Sequence, residues 1–426
     1  MKFQFGVWLF LCISSRFNVS SGSEAGAAPH GFAPVIIVPG DGASPIDAKI
    51  KAKSNCDSRK EWFRMWLNVE DIMLGRFPCT AKNMMLNFNL TTNTSHVQPG
   101  VETQIPGWGT AHTVEYVDDH AFARIFHIAF DAAYLVQAMV SWGYTRDVSI
   151  RGAPYDFRFA MASQPEWCVR FKLLVEDTYV ANNNRKVSII SHSMGGFFAS
   201  WFLNKQSQIW KDKFIHSFIA LSTPWGGSNK ALQSITSGYN FNVPLVKVRD
   251  CKMIQRTFES NYLLMPNYLF HKPNHIFIKT PKYNFSLNPE DLDLYFEASN
   301  NKVGKLIYEK IMRENRLKRT KGGMLFEHPR VKTYCFYGVG LPTPGLFYYP
   351  KNFPDQQPVI QKVSGDFTLV HESLRGCKIW EEDFVKNNAS DEKLFTEVHE
   401  LPGVSHIGIF GDPRTQEKIK LILSDL

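Results

Sequence analysis

The five residues Ser-His-Ser-Met-Gly at 191–195 limit what this chain can fold into more than any other feature of the sequence. They stand between a strand-like apolar run at 187–190 and a helix-like run. A tight turn between a strand and a helix holds a serine hydroxyl exposed at the edge of a sheet, provided that small residues lie two positions before and after the serine. Ser191 and Gly195 meet that requirement, so Ser193 is the candidate nucleophile.

The rest of the chain alternates strand-like and helix-like runs, which is typical of a mostly parallel sheet with helices on its faces. Together with the serine turn, this alternation predicts an α/β-hydrolase fold over residues 30–426. Two helices begin with a proline, Pro165 and Pro413, with Ser163 and Asp412 as their candidate caps. The strand-like runs lie at 34–40, 147–151, 187–190, 214–221, 331–337, 358–363 and 395–401, and the helix-like runs at 165–180, 194–203 and 413–423.

Two segments interrupt this alternation, and we expect both to be insertions. The first, at about 50–85, is rich in apolar and aromatic residues, and Trp62, Trp66 and Met73 stand at roughly helical spacing. The second, at about 228–330, is rich in asparagine, lysine and aromatic residues and shows no regular alternation of strands and helices. We expect the second segment to form a cap over the sheet.

The amino terminus has the pattern of a secretory signal. Lys2 precedes an apolar run at 3–13, small residues follow, and we expect a signal peptide at 1–22. The run is too short to span a bilayer, and no uncharged apolar stretch of about 18 residues follows it. We therefore expect a lumenal protein that resides in the lysosome or is secreted.

The formal net charge of +8 favours an acidic partner, for which nucleic acid and anionic membranes are the candidates. The basic residues are dispersed, and the one dense run, at 316–321, is typical of a solvated linker. We therefore expect a phospholipid membrane surface with anionic lipids as the partner, and no nucleic acid. The sequence gives no sign of a protein partner.

An oxidising lumen also bears on the cysteine and asparagine residues. Six cysteines lie beyond the signal, and the compartment favours disulfides among them, although their spacing does not select one pairing. None of them forms a C-x-x-C pair, which argues against a zinc ribbon. Four sequons predict N-glycosylation at Asn89, Asn93, Asn284 and Asn388.

A nucleophilic serine needs a base to remove its proton, and the base needs a carboxylate to orient it. In this fold the acid and then the histidine follow the serine along the chain, each on a loop after a late strand. Asp366 follows the strand-like run at 358–363, and His406 follows the run at 395–401. Ser193, Asp366 and His406 are thus the predicted catalytic residues.

Three other histidines are weaker candidates for the base. His399 lies within a strand pattern, and His371 follows the acid with no strand between them. His192 adjoins the serine, and side chains of neighbouring residues diverge. None of the three fits the expected position as well as His406.

The tetrahedral intermediate of acyl transfer needs two backbone N–H donors for its oxyanion. We expect the first from Met194, directly after the nucleophile. The second is expected from Asp41, in the loop that follows the first strand.

Six short blocks carry a family resemblance. They lie at 38–41, 142–144, 151–156, 191–195, 224–227 and 337–340, and the block Arg-Gly-Ala-Pro-Tyr-Asp at 151–156 is highly specific. From about residue 34 to the carboxyl end, the chain resembles the lysosomal phospholipase A2 and lecithin–cholesterol acyltransferase family. The resemblance implies an α/β-hydrolase fold, places the family's catalytic residues on Ser193, Asp366 and His406, and implies no metal or cofactor.

The resemblance also implies disulfides and lipid-binding elements. The family's disulfides fall on Cys56–Cys79 and Cys335–Cys377, which leaves Cys168 and Cys251 as free thiols or an extra pair. Its membrane-binding element falls on the loop that the first bridge encloses, with Trp62, Phe63, Trp66 and Leu67 as the membrane-binding residues. Core packing of these side chains is the competing interpretation, and the family's lid falls on 228–251.

The chain departs from the family's pattern in two loops. The oxyanion loop continues with Gly-Ala-Ser at 42–44 instead of Leu-Gly-Asn, and in the acid motif Phe367 replaces a glycine and Leu369 a valine. Because Phe367 does not easily take a positive φ, we expect this turn to be reshaped.

Asp41 distinguishes the two branches of the family, because the resemblance gives aspartate to the lysosomal phospholipase and cysteine to the plasma acyltransferase. An ionised carboxylate beside a developing oxyanion is repulsive, and protonation at acidic pH removes that penalty. We therefore expect an acidic pH optimum.

These observations predict a lumenal serine phospholipase and O-acyltransferase. It would cleave acyl esters of glycerophospholipids and transfer the acyl group to water or to a lipid acyl acceptor such as ceramide. The alternatives are a secreted phosphatidylcholine–sterol acyltransferase and a non-catalytic lipid-binding protein.

Overall fold

The structure is a computed structural model that describes residues 27–51, 59–118, 132–243, 245–272, 274–314, 327–386 and 391–424. The expected signal peptide at 1–22 and the basic run at 316–321 lie outside the described residues. The strands are β1 Val35–Val38, β2 Ile46–Ile50, β3 Phe63–Trp66, β4 Leu86–Asn89, β5 Thr94–Val97, β6 Val101–Gln104, β7 Ile150–Gly152, β8 Val187–His192, β9 Ile215–Leu221, β10 Ile278–Lys279, β11 Asn284–Phe285, β12 Thr333–Val339, β13 Leu341–Tyr348, β14 Val359–Gly365 and β15 Thr396–Pro402.

The helices are α1 Val69–Met73, α2 Phe77–Met84, α3 His112–Glu115, α4 Ala133–Ser141, α5 Pro165–Ala181, α6 Gly195–Lys205, α7 Gln208–Phe214, α8 Asn229–Thr236, α9 Val248–Gln255, α10 Glu259–Leu263, α11 Leu292–Ala298, α12 Lys302–Glu314, α13 His371–Leu374, α14 Lys378–Lys386 and α15 Pro413–Leu423. Short 3-10 turns occur at Met161–Ser163, Tyr268–Phe270, Arg375–Cys377, Glu392–Leu394 and Gly408–Phe410.

Six strands form a parallel central sheet in the order β15-β12-β9-β8-β1-β7. The carboxyl ends of parallel strands meet at one edge, so the loops after β1, β8 and β15 gather there. Val38, the last residue of β1, pairs with Ser191 near the end of β8. The structure confirms the predicted α/β-hydrolase fold with a mostly parallel sheet.

Helices cover both faces of this sheet, so its inner strands are shielded from solvent on both sides. Every residue of β1 and of β8 is buried. Within β1, Ile36 and Val38 pack in one core cluster with α5 and α6, whereas Val35 and Ile37 pack in the other cluster with α4 and α15. Alternate side chains of one strand thereby hold the two helical layers.

The strand predicted at 358–363 belongs to a second sheet, not to the parallel one. β14 pairs antiparallel with β13, and the order of this sheet is β11-β10-β13-β14. Six of the seven residues of β14 are exposed, including Val359 and Val363, because β14 is an edge strand. The hairpin ends at Gly365, which brings the following residue, Asp366, to the edge of the central sheet.

Trp62 and Trp66 of the first insertion do not lie on a helix, in contrast to the helical spacing of its apolar residues. Trp66 lies in β3, which pairs with β2 in a three-stranded antiparallel sheet of order β3-β2-β6. Helix begins only at Val69, where the Asn68 side chain accepts a hydrogen bond from the Asp71 N–H. The hairpin β4–β5 and helix α2 complete this part of the chain.

The second insertion contains α8 to α12 and the short strands β10 and β11. A buried ion pair within it, between Lys310 and Glu259, also reaches the hydrolase domain. The Lys310 ammonium donates to the Ser163 hydroxyl at 2.8 Å, and the Glu259 carboxylate accepts the Ala160 N–H at 3.0 Å.

The two predicted helix caps have different outcomes. Asp412 caps α15, with its side chain accepting the N–H groups of Arg414 and Thr415, as predicted. Ser163 does not cap α5, because Gln164 occupies the cap position and Ser163 belongs to a 3-10 turn. Within the described part of the chain, no helix has both the length and the apolar character that crossing a bilayer requires.

Candidate active site

The serine turn joins β8 to α6 at the carboxyl edge of the sheet. Ser193 has a φ of 51°, a left-handed conformation that a non-glycine residue adopts only when its surroundings enforce it. Its N–H donates to the Leu221 carbonyl at 2.9 Å, and its carbonyl accepts the Gly196 N–H at 3.0 Å. These two hydrogen bonds hold the turn and direct the serine hydroxyl out of the sheet.

Small residues are required here by close packing. A Cβ at Gly195 would overlap the carbonyl oxygens of Val38 and Pro39, so the turn lies directly against the end of β1. Ser191 is fully buried on β8, where its side chain stays small enough for the same approach.

The structure brings the three predicted catalytic residues together. The Ser193 Oγ lies 3.0 Å from the His406 Nε2, and the His406 Nδ1 lies 2.7 Å from the Asp366 Oδ2. A carboxylate only accepts hydrogen bonds, so Nδ1 carries the proton, and Nε2 is left to accept from the serine hydroxyl. Asp366 is fully buried and His406 almost so, which shields the chain of hydrogen bonds from water.

Backbone groups fix the positions of the acid and the base relative to each other. The Asp366 Oδ1 accepts the N–H groups of Thr368 at 2.9 Å and Leu369 at 2.7 Å. The His406 N–H donates to the Asp366 carbonyl at 2.9 Å. The two loops are therefore joined through main chain as well as side chain.

The expectation that Phe367 would avoid a positive φ is wrong. Its φ is 74°, the conformation that glycine would take at this position. The Phe367 N–H donates to the Thr343 hydroxyl on β13, and the neighbouring N–H groups bind Asp366, so the turn is held from both sides. The phenyl ring is 47% exposed and does not need to enter the core.

The loop after β1 lies against the nucleophile. A Cβ at Gly40 would be 3.0 Å from the Cβ of Ser193, so Asp41, the next residue, adjoins the reaction site. Asp41 is exposed at the surface, but neighbouring protein atoms reduce the hydration of its carboxyl, which raises its pKa to about 7, opposed by the Gly42 N–H.

His192 has a structural role that the sequence did not reveal. Its Nε2 donates to the His406 carbonyl oxygen at 3.1 Å. Its ring lies 4.8 Å from the ring of His406, and burial lowers its pKa well below the usual range. A neutral His192 thus supports the loop that carries the base.

Lys230, at the start of α8, also approaches the acid loop. Its ammonium donates to the Thr368 hydroxyl at 3.3 Å. Burial lowers the pKa of this lysine, and the negative charge of Asp366 partly offsets the effect. The cap therefore places a positive charge near the buried carboxylate, which no motif in the sequence indicated.

The four expected membrane-binding side chains do not share one environment. Trp62 is 40% exposed, with the Lys49 ammonium 4.8 Å from its ring centre. Phe63 and Leu67 are half-buried, and the Arg59 guanidinium lies over the Phe63 ring. Trp66 packs inward, with its ring centre 5.6 Å from that of Phe157. Among the described residues, Trp62 and Phe63 each lie beside a positive charge, although Phe63, like Trp66, also packs against the core.

The expected disulfides are only partly accounted for. Cys79 is disulfide-bonded, and Cys56 lies outside the described residues. The expected bond between Cys335 and Cys377 is not formed. Both residues are free, buried thiols in hydrogen-bond contact with each other. Cys168 and Cys251 are also free, and burial raises the pKa of each thiol to about 12.

The sequons lie in accessible positions where they are described. Asn89 and Asn284 are exposed, and Asn93 is half-buried with a φ of 56°. Asn388 lies outside the described residues. Across the described ranges, no three histidine, cysteine, aspartate or glutamate side chains are grouped so that they could hold a metal ion.

Comparison with known proteins gives a consistent result. The sequence model of the family described as "Lecithin:cholesterol acyltransferase" matches residues 62–303 and 290–424. The chain is 31% identical to the human protein named "Lysosomal phospholipase A and acyltransferase", over 97% of this chain and 95% of the other, and 32% identical to its bovine counterpart, over 94% and 92%. It is 31% identical to the chicken "Phosphatidylcholine-sterol acyltransferase", over 94% of this chain and 92% of that one.

Proposed function

Because the chain belongs to the lecithin:cholesterol acyltransferase family, we propose that it is a serine phospholipase A and O-acyltransferase. The observation that carries this proposal is the chain of hydrogen bonds from Ser193 through His406 to Asp366. A lipid-binding protein without catalysis would not need a serine held in a left-handed conformation beside a buried histidine.

The first half of the reaction forms an acyl-enzyme. The Ser193 Oγ attacks the carbonyl carbon of a glycerophospholipid ester while its proton passes to the His406 Nε2. The buried Asp366 carboxylate stabilises the imidazolium that results. When the tetrahedral intermediate collapses, the C–O bond of the ester breaks, and the lysophospholipid leaves as an alcohol that takes the proton from His406.

The second half of the reaction regenerates the free serine hydroxyl. The hydroxyl of water or of a lipid alcohol such as ceramide attacks the acyl-Ser193 ester, with His406 as the base. Hydrolysis releases a fatty acid, and transfer releases an acylated lipid. The relatives' printed names include both phospholipase and acyltransferase activities, which supports the two outcomes.

The oxyanion of each intermediate would accept the backbone N–H groups of Met194 and Asp41. The contact between the loop after β1 and the serine turn supports this assignment. Since the pKa of the Asp41 carboxyl is raised to about 7, the group is neutral in an acidic lumen and does not repel the oxyanion. This supports an acidic optimum and residence in the lysosome or another acidic lumenal compartment.

The substrate lies in a membrane, so the enzyme must bind a lipid surface. Trp62 and Phe63 would insert at the interface, and the neighbouring Lys49 and Arg59 would attract anionic headgroups.

The deciding experiment measures fatty acid and acylceramide release from anionic phospholipid vesicles that contain ceramide, between about pH 4 and pH 8. Wild type should be most active at acidic pH and form both products, and Ser193→Ala should form neither. A maximum near neutral pH, with transfer to a sterol but not to ceramide, would instead favour a sterol acyltransferase. No serine-dependent product at any pH, with no labelling of Ser193 by a fluorophosphonate, would refute catalysis altogether.

A further inference from the structure

Trp66 makes a polar contact that a lipid-facing side chain would not make. Its indole Nε1–H donates to the carbonyl of Gly42 at 2.7 Å. Gly42 follows Asp41 in the loop after β1 and has a φ of 73°. A Cβ at Gly42 would be 3.6 Å from the Cζ2 of Trp66, so the indole lies directly over this turn.

The loop is held at both ends, with Asp41 between the two attachments. Before it, the carbonyl of Pro39 accepts the Tyr155 hydroxyl at 2.9 Å. After it, the Gly42 carbonyl accepts the Trp66 indole, and the Ala43 N–H donates to the Gly40 carbonyl at 3.2 Å. The Gly42 carbonyl and the Ala43 N–H belong to one planar peptide unit, and the Gly40 carbonyl and the Asp41 N–H belong to another. The hydrogen bond from Ala43 to Gly40 joins the two units, so holding the Gly42 carbonyl restricts the direction of the Asp41 N–H.

We propose that Trp66 is a positioning residue for the oxyanion donor, and not a membrane-binding residue. The proposal rests on the proposed function, because it takes the Asp41 N–H as one of the two donors to the oxyanion. A donor acts only if it is already aimed at the oxyanion when charge develops. Loss of the indole N–H leaves the Gly42 carbonyl without this partner and frees the loop to turn.

The position of Trp66 also connects the membrane surface to the reaction site. Trp66 ends β3, the strand that begins at Phe63 next to Trp62. It pairs with Ile46 on β2, the strand that follows the oxyanion loop directly. One short antiparallel pair thus joins the lipid-facing end of the insertion to the loop that carries Asp41.

Trp66→Phe tests the contact, because it keeps an aromatic ring for packing on Phe157 but replaces the indole and so removes the N–H that donates to Gly42. The matched control is Trp210→Phe on α7, where a buried indole donates to the Glu176 carboxylate at 2.7 Å, in a different part of the fold. Both variants lose one tryptophan and its indole hydrogen bond, which goes to a backbone carbonyl in Trp66 and to a carboxylate in Trp210. Rates should be measured with a water-soluble short-chain ester, per active site titrated, so that folding and lipid binding do not enter.

We expect Trp66→Phe to lower kcat about tenfold with KM within about twofold, and to slow phosphonylation by a fluorophosphonate in parallel. Trp210→Phe should retain the wild-type kcat. Binding to anionic vesicles should be unchanged in Trp66→Phe.

Equal kcat values for the two variants would overturn the proposal, and so would a Trp66→Phe defect confined to vesicle binding. If Trp66→Phe fails to fold, Trp66→benzothienylalanine, which has the shape of tryptophan without the N–H, applies the same criteria. An inactive wild type that no fluorophosphonate labels would refute the proposed function, which is a different result from an active wild type with an unaffected Trp66→Phe.

Discussion

Two residues beside the reaction site adopt backbone conformations that their side chains disfavour. Ser193 and Phe367 both have positive φ, and each is held by hydrogen bonds from its neighbours. Strain of this kind persists where the surrounding structure enforces one geometry. The geometry at Ser193 positions the serine hydroxyl, and the geometry at Phe367 positions the carboxylate of the neighbouring Asp366.

Asp41→Asn should remove the alkaline loss of activity. With a pKa raised to about 7, the Asp41 carboxyl is neutral below that pH and becomes a carboxylate above it, so wild-type activity should fall as pH rises through 7. The asparagine variant is neutral throughout. Its kcat/KM should therefore stay high, several-fold above wild type, near pH 8, as a pH–rate profile with a soluble ester would show.

The control for this profile is Asp293→Asn, on the exposed surface of α11, where the carboxylate pairs with Lys305. Its profile should match that of wild type. Parallel alkaline declines in wild type and Asp41→Asn would assign the titration to another group.

The sequence predicted elements well where one environment determines the pattern. β1 and β8 are buried on both faces, which the unbroken apolar run of β1 and the central isoleucines of β8 reflect, and the Asp412 cap acts through its own neighbours. The sequence predicted elements poorly where the partners lie far along the chain. Trp62 and Trp66 are four residues apart, a spacing that places two side chains on one face of either a helix or a strand, so it did not identify β3. β14 pairs with a strand at 341–348 that no pattern indicated.

At the scale of secondary-structure elements, Trp62→Ser, at the residue directly before β3, should weaken binding to anionic vesicles. Trp62 is 40% exposed and stands beside Lys49, so its loss removes interfacial apolar area. We expect vesicle affinity to fall about fivefold or more in a sedimentation assay. Ile209→Ser on α7 is the control, because this exposed side chain lies on a different element. Equal affinities for the two variants would mean that the first insertion does not bind the membrane.

On the scale of the whole molecule, the three residues that meet in the candidate active site were predictable from the sequence, whereas the contacts that hold them were not. Ser193, Asp366 and His406 follow a chain order that the fold imposes, so their sequence positions sufficed to select them. The hydrogen bond from His192 to the His406 carbonyl and the approach of Lys230 to the acid loop depend on tertiary packing. Such contacts leave no periodic signal, because they join residues that are more than a hundred positions apart.

The buried pair of Lys310 and Glu259, whose side chains are 3% and 0% exposed, joins α12 to α10 and also contacts Ser163 and Ala160. Lys310→Met removes the positive charge and leaves the Glu259 carboxylate buried with the Ala160 N–H but without its counter-ion. Breaking a buried pair in this way costs about 3–5 kcal/mol, because the remaining charge keeps its desolvation penalty. The midpoint of urea-induced unfolding at neutral pH should therefore fall sharply.

Lys305→Met is the control on the same helix, α12, because its partner Asp293 is mostly exposed and water replaces the contact. The double variant Lys310→Met with Glu259→Gln should recover much of the loss, since no uncompensated charge is then buried. If Lys310→Met unfolds at the same urea concentration as Lys305→Met, the pair does not hold the cap to the sheet. The apolar contacts of α10 and α12 would then have to account for the attachment of the cap.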